Sequence, residues 1–212
     1  TFTQNGTGAN TIGDDITADI GGITFAETVT LNSSAADEMV ILTGAGGAGD
    51  DITFSDTGNS LLITDNENLT LVAGASGDIT VQGALNQGTK GDLTITSAVD
   101  STFNGTVAVE NFTQSAGSGT TTFNGAFTVA AGFDYTGANL TVTGAGANDV
   151  ATTMEVSNTG TFQLDTGSTL TVGTFTQNGT GANTIGDDIT ADIGGITFAE
   201  TVTLNSSAAD EM

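Results

Sequence analysis

The sequence contains no cysteine, histidine, proline, arginine or tryptophan, and its single lysine is Lys90. Without Cys or His there is no disulfide framework, no zinc-finger or haem ligation and no Ser/His/Asp or Cys/His machinery. One cation against 25 Asp and Glu leaves a net charge of −24. Nucleic acid is therefore not an expected partner, because binding a duplex requires cations that displace its counterions, and anionic membrane surfaces are disfavoured for the same reason. No apolar run approaches the roughly 20 residues of a membrane span, so no membrane insertion is expected in this segment. The opening Thr1-Phe2-Thr3-Gln4-Asn5-Gly6 does not read as a signal peptide. The lack of proline is informative in a turn-rich chain: proline removes a ladder donor, so its absence suits strands flanked by neighbours on both sides.

Glycine (31 residues) and threonine (42 residues) together make up about a third of the chain. High acidity with little hydrophobic content would leave a core undersupplied, but here the apolar residues come in short alternating runs. Examples are Ile23-Thr24-Phe25, Leu93-Thr94-Ile95-Thr96 and Leu140-Thr141-Val142-Thr143. Thr, Val, Ile and Phe fit a half-buried pleated surface, and Gly/Asn/Asp/Ser clusters punctuate the runs as turns. No long stretch carries a 3.6-residue period, so the expected class is all-β.

Two periodicities are nested. Residues 174–212 repeat residues 1–39 without a change, at an offset of 173, so that Thr174 matches Thr1, Phe198 matches Phe25 and Met212 matches Met39. Packing does not demand identity over such a length. Recent duplication of a long unit is the economical account, with residues 1–173 expected as one tandem unit and 174–212 as the start of the next. The window begins and ends within a unit, which reads as a slice of a longer periodic object. Inside the unit a shorter motif returns: Thr80-Val81-Gln82-Gly83, Thr102-Phe103-Asn104-Gly105, Thr122-Phe123-Asn124-Gly125 and Thr141-Val142-Thr143-Gly144. Strand-turn-strand modules returning about every 20–22 residues, two strands to a coil and none with a core of its own, predict a parallel β-solenoid. The unit is expected to hold about eight such coils, rising roughly 38 Å at the usual strand spacing of about 4.8 Å. One internal column is expected to contain Phe25, Phe54, Val81, Phe103, Phe123, Val142, Phe162 and Phe198, faced by Leu71, Leu93 or Ile95, Phe112 and Leu170. The Asn or Gln and the Gly after each column residue suit a corner, where glycine can adopt positive φ and stacked amides can bond along the axis.

The Thr-Val/Phe-Asn/Gln-Gly motif, with Leu69-Thr70-Leu71-Val72-Ala73-Gly74, Gly91-Asp92-Leu93-Thr94-Ile95-Thr96 and Phe112-Thr113-Gln114-Ser115-Ala116-Gly117, resembles bacterial giant surface proteins of the filamentous-haemagglutinin and autotransporter-passenger kind. The resemblance implies a right-handed parallel β-helix on the bacterial cell surface, serving as an extracellular structural fibre or as an adhesin. It assigns no residue a role. The expected partners are copies of the chain itself, end to end or laterally. The alternative is an adhesin stalk that binds host or neighbouring-cell glycans or receptors through longer loops near residues 32–50 and 55–68.

Candidate chemistry is confined to carboxylates and threonines. The doublets Asp14-Asp15, Asp50-Asp51 and Asp187-Asp188 each follow a glycine, and Gly46-Gly47-Ala48-Gly49-Asp50-Asp51-Ile52-Thr53 approaches a calcium-binding nonapeptide, with Thr53 where a large apolar residue belongs. These six aspartates are the candidate calcium ligands, and calcium is the one candidate cofactor. Residues 1–173 carry 19 acids and one Lys, a charge density approaching that of duplex DNA at one charge per about 1.7 Å. Such a rod is expected to gather divalent cations with or without defined sites. Glycan hydrolysis would need a carboxylate pair such as Asp50 or Asp51 with Asp65, or Asp14 with Asp15, plus an aromatic or arginine platform for sugar. The sequence offers no Arg or Trp and one Tyr, so no enzyme activity is expected. Thr-x-Thr pairs such as Thr28/Thr30, Thr94/Thr96 and Thr141/Thr143 are spaced too unevenly to form one uninterrupted ice-binding face. Lys90 is expected in an exposed turn.

Overall fold

The computed structural model describes residues 1–32, 38–43, 50–63, 67–87 and 91–205. Among these every regular element is a β-strand and every strand pairing is parallel. The chain winds as a β-solenoid with three short strands per coil, so the cross-section has three faces. The first face stacks ten strands: Phe2–Gln4, Ile23–Phe25, Ile52–Phe54, Ile79–Val81, Ser101–Phe103, Thr120–Phe123, Asn139–Val142, Thr161–Leu164, Ala182–Ile185 and Val202–Leu204. The second carries Asn10–Ile12, Val29–Leu31, Asn59–Ile63, Ala84–Gln87, Val107–Val109, Phe127–Val129 and Ile189–Ala191. The third carries Ile16–Ala18, Glu38–Thr43, Asn68–Val72, Leu93–Ser97, Phe112–Gln114, Phe133–Gly137 and Ile196–Phe198. Two long strands, Gly146–Asn158 and Ser168–Gln177, bend around the corner and belong to both the second and third faces.

Three-residue strands dictate the burial pattern. With side chains alternating across a pleat, the outer two residues point inward and the central one outward. Ile23-Thr24-Phe25, Ile79-Thr80-Val81 and Phe112-Thr113-Gln114 all follow that rule. The core is therefore a set of parallel columns. On the first face Phe25, Phe54, Val81, Phe103, Phe123 and Val142 are in register, as the sequence pattern predicts, and all are buried. Phe25 stacks on Phe54 at 5.5 Å and Phe103 on Phe123 at 5.0 Å between ring centroids, both with planes 11° apart.

The column then departs from expectation. Val142 is followed by Leu164, while Phe162 sits in the neighbouring column above Leu140. Phe198 lies on the third face above Gln177. Phe162 takes a different position along its strand from Phe123, although both follow a threonine. Of the residues expected opposite, Leu71, Leu93, Ile95 and Phe112 lie on the third face, and Leu170 lies on the second, above Asn148. The second face itself is a third strand per coil where two were expected.

The displacement of Phe198 follows from how the two identical segments are threaded. Phe2–Gln4 and Ile23–Phe25 pair on the first face, with Phe2 opposite Ile23. Their copies Phe175–Gln177 and Ile196–Phe198 pair in the same register on the third face. Asn10–Ile12 pairs with Val29–Leu31 on the second face, and the copies pair identically on the first. Local geometry is reproduced in detail. The Phe2–Phe25 rings are 5.3 Å apart and tilted by 49°, and the Phe175–Phe198 rings 5.1 Å and 47°. Gln4 Nε2 donates to Gly6 O and its Oε1 accepts from the Ala26 amide, while Gln177 makes the same bonds to Gly179 and Ala199. The unit therefore holds seven coils and two further strands, and its successor begins one face away.

Candidate functional site

The corners carry the polar chemistry. After the first face, Asn104 Nδ2 donates to Gln82 Oε1 at 2.9 Å, Asn124 Nδ2 to Asn104 Oδ1 at 2.7 Å, and Thr143 Oγ1 to Asn124 Oδ1 at 2.7 Å. This is the axial amide ladder that the Asn/Gln-Gly motif predicts. The glycines beside it serve a different purpose from the one expected. A Cβ on Gly105 would lie 2.3 Å from the carbonyl carbon of Gly83, and one on Gly125 would lie 2.2 Å from Gly105 O. Positive φ occurs instead at Gly21, Gly74, Gly146 and Gly167. Close backbone approach, rather than a left-handed conformation, requires glycine at these stacked corners.

The corner before the first face is acidic. Asp51 Oδ1 accepts the amide of Asp78 at 2.9 Å, Asp78 Oδ1 that of Asp100 at 3.0 Å, and Asp100 Oδ1 that of Thr120 at 2.6 Å. Each carboxylate thus caps the coil above it, and Asn139 continues the pattern with Thr161 N at 2.9 Å. Successive carboxylates stand one rung apart, about 4.8 Å. At that spacing each pair repels by about 1 kcal/mol in water, which favours a counterion atmosphere. At another corner Asp56 accepts from Thr28 Oγ1 at 2.5 Å and from the Gly58 amide at 2.9 Å; these bonds, the Thr28 hydroxyl first, hold its pKa below the ordinary value.

The six candidate calcium ligands fall at three separate corners. Asp14 and Asp15 are exposed between the second and third faces, where Asp15 Oδ1 accepts the Val40 amide at 2.8 Å. Asp50 is buried before the first face, with Oδ1 accepting the Gly21 amide at 2.9 Å, and Asp51 begins the carboxylate ladder. Asp187 and Asp188 lie between the first and second faces, where Asp187 Oδ2 accepts the Gly167 amide at 2.7 Å. Among the described residues no three acidic side chains gather in a way that would hold a metal ion. Lys90, Asp65 and the glycine run before Asp50 lie outside the described residues, as do residues 33–37, 44–49 and 64–66 of the two expected loops, whose described parts instead contain the strands Glu38–Thr43 and Asn59–Ile63.

Two surface features escaped the sequence reading. The outward position of the first face reads Thr3, Thr24, Thr53, Thr80, Thr102, Thr122, Thr141, Gln163, Thr184 and Thr203 in unbroken register. It is a single file built from the central residues of the strands, with no Thr-x-Thr pair needed, and unequal loop lengths hid it. On the third face a shallow groove of about 280 Å³ is lined by Asp92, Asn111, Thr113, Asp134, Thr153 and Glu155 among others. Asp134 and Glu155 are adjacent in register there.

Inside the solenoid a few polar side chains are buried and paired. Thr121 Oγ1 donates to Gln114 Oε1 and the Tyr135 hydroxyl donates to Asn139 O, each at 2.7 Å. Burial pushes the Tyr135 phenol up to about 12, against a smaller lowering from Thr121. Asn148, fully buried, accepts the Phe127 amide at 3.1 Å and donates to Thr169 O at 3.0 Å, bridging the rungs on either side of its own.

The fold and these corner ladders define a parallel β-solenoid. Compared with protein-family models, curated proteins and solved structures, the chain matches none.

Proposed function

We propose that the chain is a length of a tandemly repeated extracellular fibre, a stiff acidic rod on a bacterial cell surface. The observation that carries this reading is that two sequence-identical segments, one near each end, are coils of the same solenoid. A fold that accepts its own sequence as its next coil can be lengthened by copying the unit, and length is what a fibre requires. The resemblance to filamentous-haemagglutinin-like surface proteins points the same way. The function is mechanical: parallel ladders, each net bond contributing about 0.5–1.5 kcal/mol, run along the whole axis around an apolar interior. Acidity keeps neighbouring rods apart until divalent cations bridge them.

Electron microscopy of chains holding one, two and three units tests this. Rods of constant width should lengthen by about 37 Å per added unit at a coil rise of about 4.8 Å. Calcium should draw the rods into bundles that a chelator disperses. Compact particles whose length does not follow copy number would refute the fibre.

A further inference from the structure

The identical segments differ in what covers them. Within the first copy, Ile23 and Leu31 are completely buried and Phe25 is 1 % exposed, because Ile52–Phe54 lies over Ile23–Phe25 and Asn59–Ile63 over Val29–Leu31. In the second copy the same side chains, Ile196 and Leu204, are 43 % and 63 % exposed. Together with Ile185, Ile189, Phe198 and Val202 they line an open apolar depression of about 170 Å³ at the end of the rod. At the other end the relation reverses. Phe2 is 40 % exposed, whereas its copy Phe175 is fully buried against Met154 of the coil beneath.

We infer that the open end formed by Ile189–Ala191, Ile196–Phe198 and Val202–Leu204 is the seat for the counterparts of the strands Glu38–Thr43, Ile52–Phe54 and Asn59–Ile63 in a continued second copy of the unit. The first copy shows those strands on that sequence in register: Ile41 on Ile16, Phe54 on Phe25 and Leu61 on Val29. Because Met212 matches Met39, residues 40–63 following Met212 would continue the repeat. The inference deepens the fibre reading and rests on it for its biological setting.

A geometric consequence follows. With seven coils and two strands per unit, each added copy is turned by one face, and the threonine column of one unit passes to another face in the next. Three units return it to the first face.

The test uses the tryptophan-free chain with a single probe, Phe198→Trp, and Leu204→Trp as a second probe should the first perturb folding. The full 212-residue chain is compared with the same chain extended after Met212 by residues 40–63, and with one extended by a scrambled version. The native extension should move emission to shorter wavelength and remove most acrylamide quenching. Ile196→Asp in the extended chain should reverse both changes, and the scrambled extension should produce neither. A probe that stays quenchable beside the native extension overturns the inference, as does one buried equally by the scramble. Burial that appears in the unextended chain as concentration rises also overturns it, because the seat would then accept the folded end of another molecule. The fluorescence and the rod lengths are separate readouts, so either reading can fail alone.

Discussion

At the residue scale the fold is most sensitive where backbone meets backbone. Gly105 and Gly125 sit on the glycine one coil below with no room for a methyl group, whereas nothing lies within 4 Å of the position a Cβ would take on Gly8. Gly105→Ala should cost about 1–3 kcal/mol, as overpacking generally does, while Gly8→Ala should fall within about 0.5 kcal/mol of the parent. Chemical denaturation midpoints of the two variants distinguish them. Tyr135 offers a second check, through pH. Its folded pKa of about 12 exceeds the ordinary 10.0 because burial disfavours the phenolate. The unfolded phenol releases its proton first, so this contribution to stability is complete below pH 10 and is lost as pH rises through about 12. The gap between 10.0 and about 12 makes the loss at most about 3 kcal/mol. Tyr135→Phe, which gives up the bond to Asn139 O at a cost of about 1 kcal/mol at neutral pH, should lack that alkaline decline. Thermal midpoints from pH 9 to 12 would show the two slopes.

At the element scale the unit of construction is a strand of three residues, apolar-Thr-apolar, closed by a corner whose polar groups bond along the axis. This much was legible in the sequence: the class, the parallel stacking, six successive members of one column, and the amide ladder at Gln82, Asn104 and Asn124. The Phe162 position was not, because so short a strand does not fix its own register, and neither was that of Phe198, which keeps its register but sits one face away from its copy Phe25. Leu164, two residues beyond Phe162, satisfies the column equally well, and its register also sets the Thr161 amide on the Asn139 cap. The carboxylate ladder of Asp51, Asp78 and Asp100 was hidden by loops of different length, and the doublets, which drew attention as ligands, spread over three corners. Asn148 is the polar residue that element-level patterning would least expect at an inward position. Asn148→Ala should leave the Phe127 amide buried and unpaired, costing about 1–3 kcal/mol, and also remove the part-buried bond to Thr169 O. Exposed Asn124→Ala, which loses only axial bonds open to water, should cost no more than about 1.5 kcal/mol, and calorimetry of both variants checks the order.

At the scale of the whole molecule the central claim is that one sequence occupies two faces of a single solenoid, because the repeat length is not a whole number of coils. Placement on a different face leaves the local bonds of the segment intact, as Gln4 and Gln177 show, so the cross-section treats its three faces as near equivalents. A surface feature of one unit, such as the threonine file, is then presented around the rod by successive units. The most direct measurement is dipolar EPR on spin labels in this cysteine-free chain, at the exposed positions Thr152, Thr159 and Ile193. The Ile193 amide donates to Gly173 O, and Gly173 lies directly over Thr152, so Ile193 stands two rungs above Thr152 at the corner between the second and third faces. Thr159 occupies the next corner, between the third face and the first. Had the second copy kept the face of the first, Ile193 would stand over Thr159, since Ile20 fills that corner in its own coil. The double variant Thr152→Cys/Ile193→Cys should show strong coupling at roughly 10 Å, two rungs of about 4.8 Å, and Thr159→Cys/Ile193→Cys a longer distance. The reverse order would contradict the turn between copies, and the absence of a short distance in either variant would contradict the continuous solenoid.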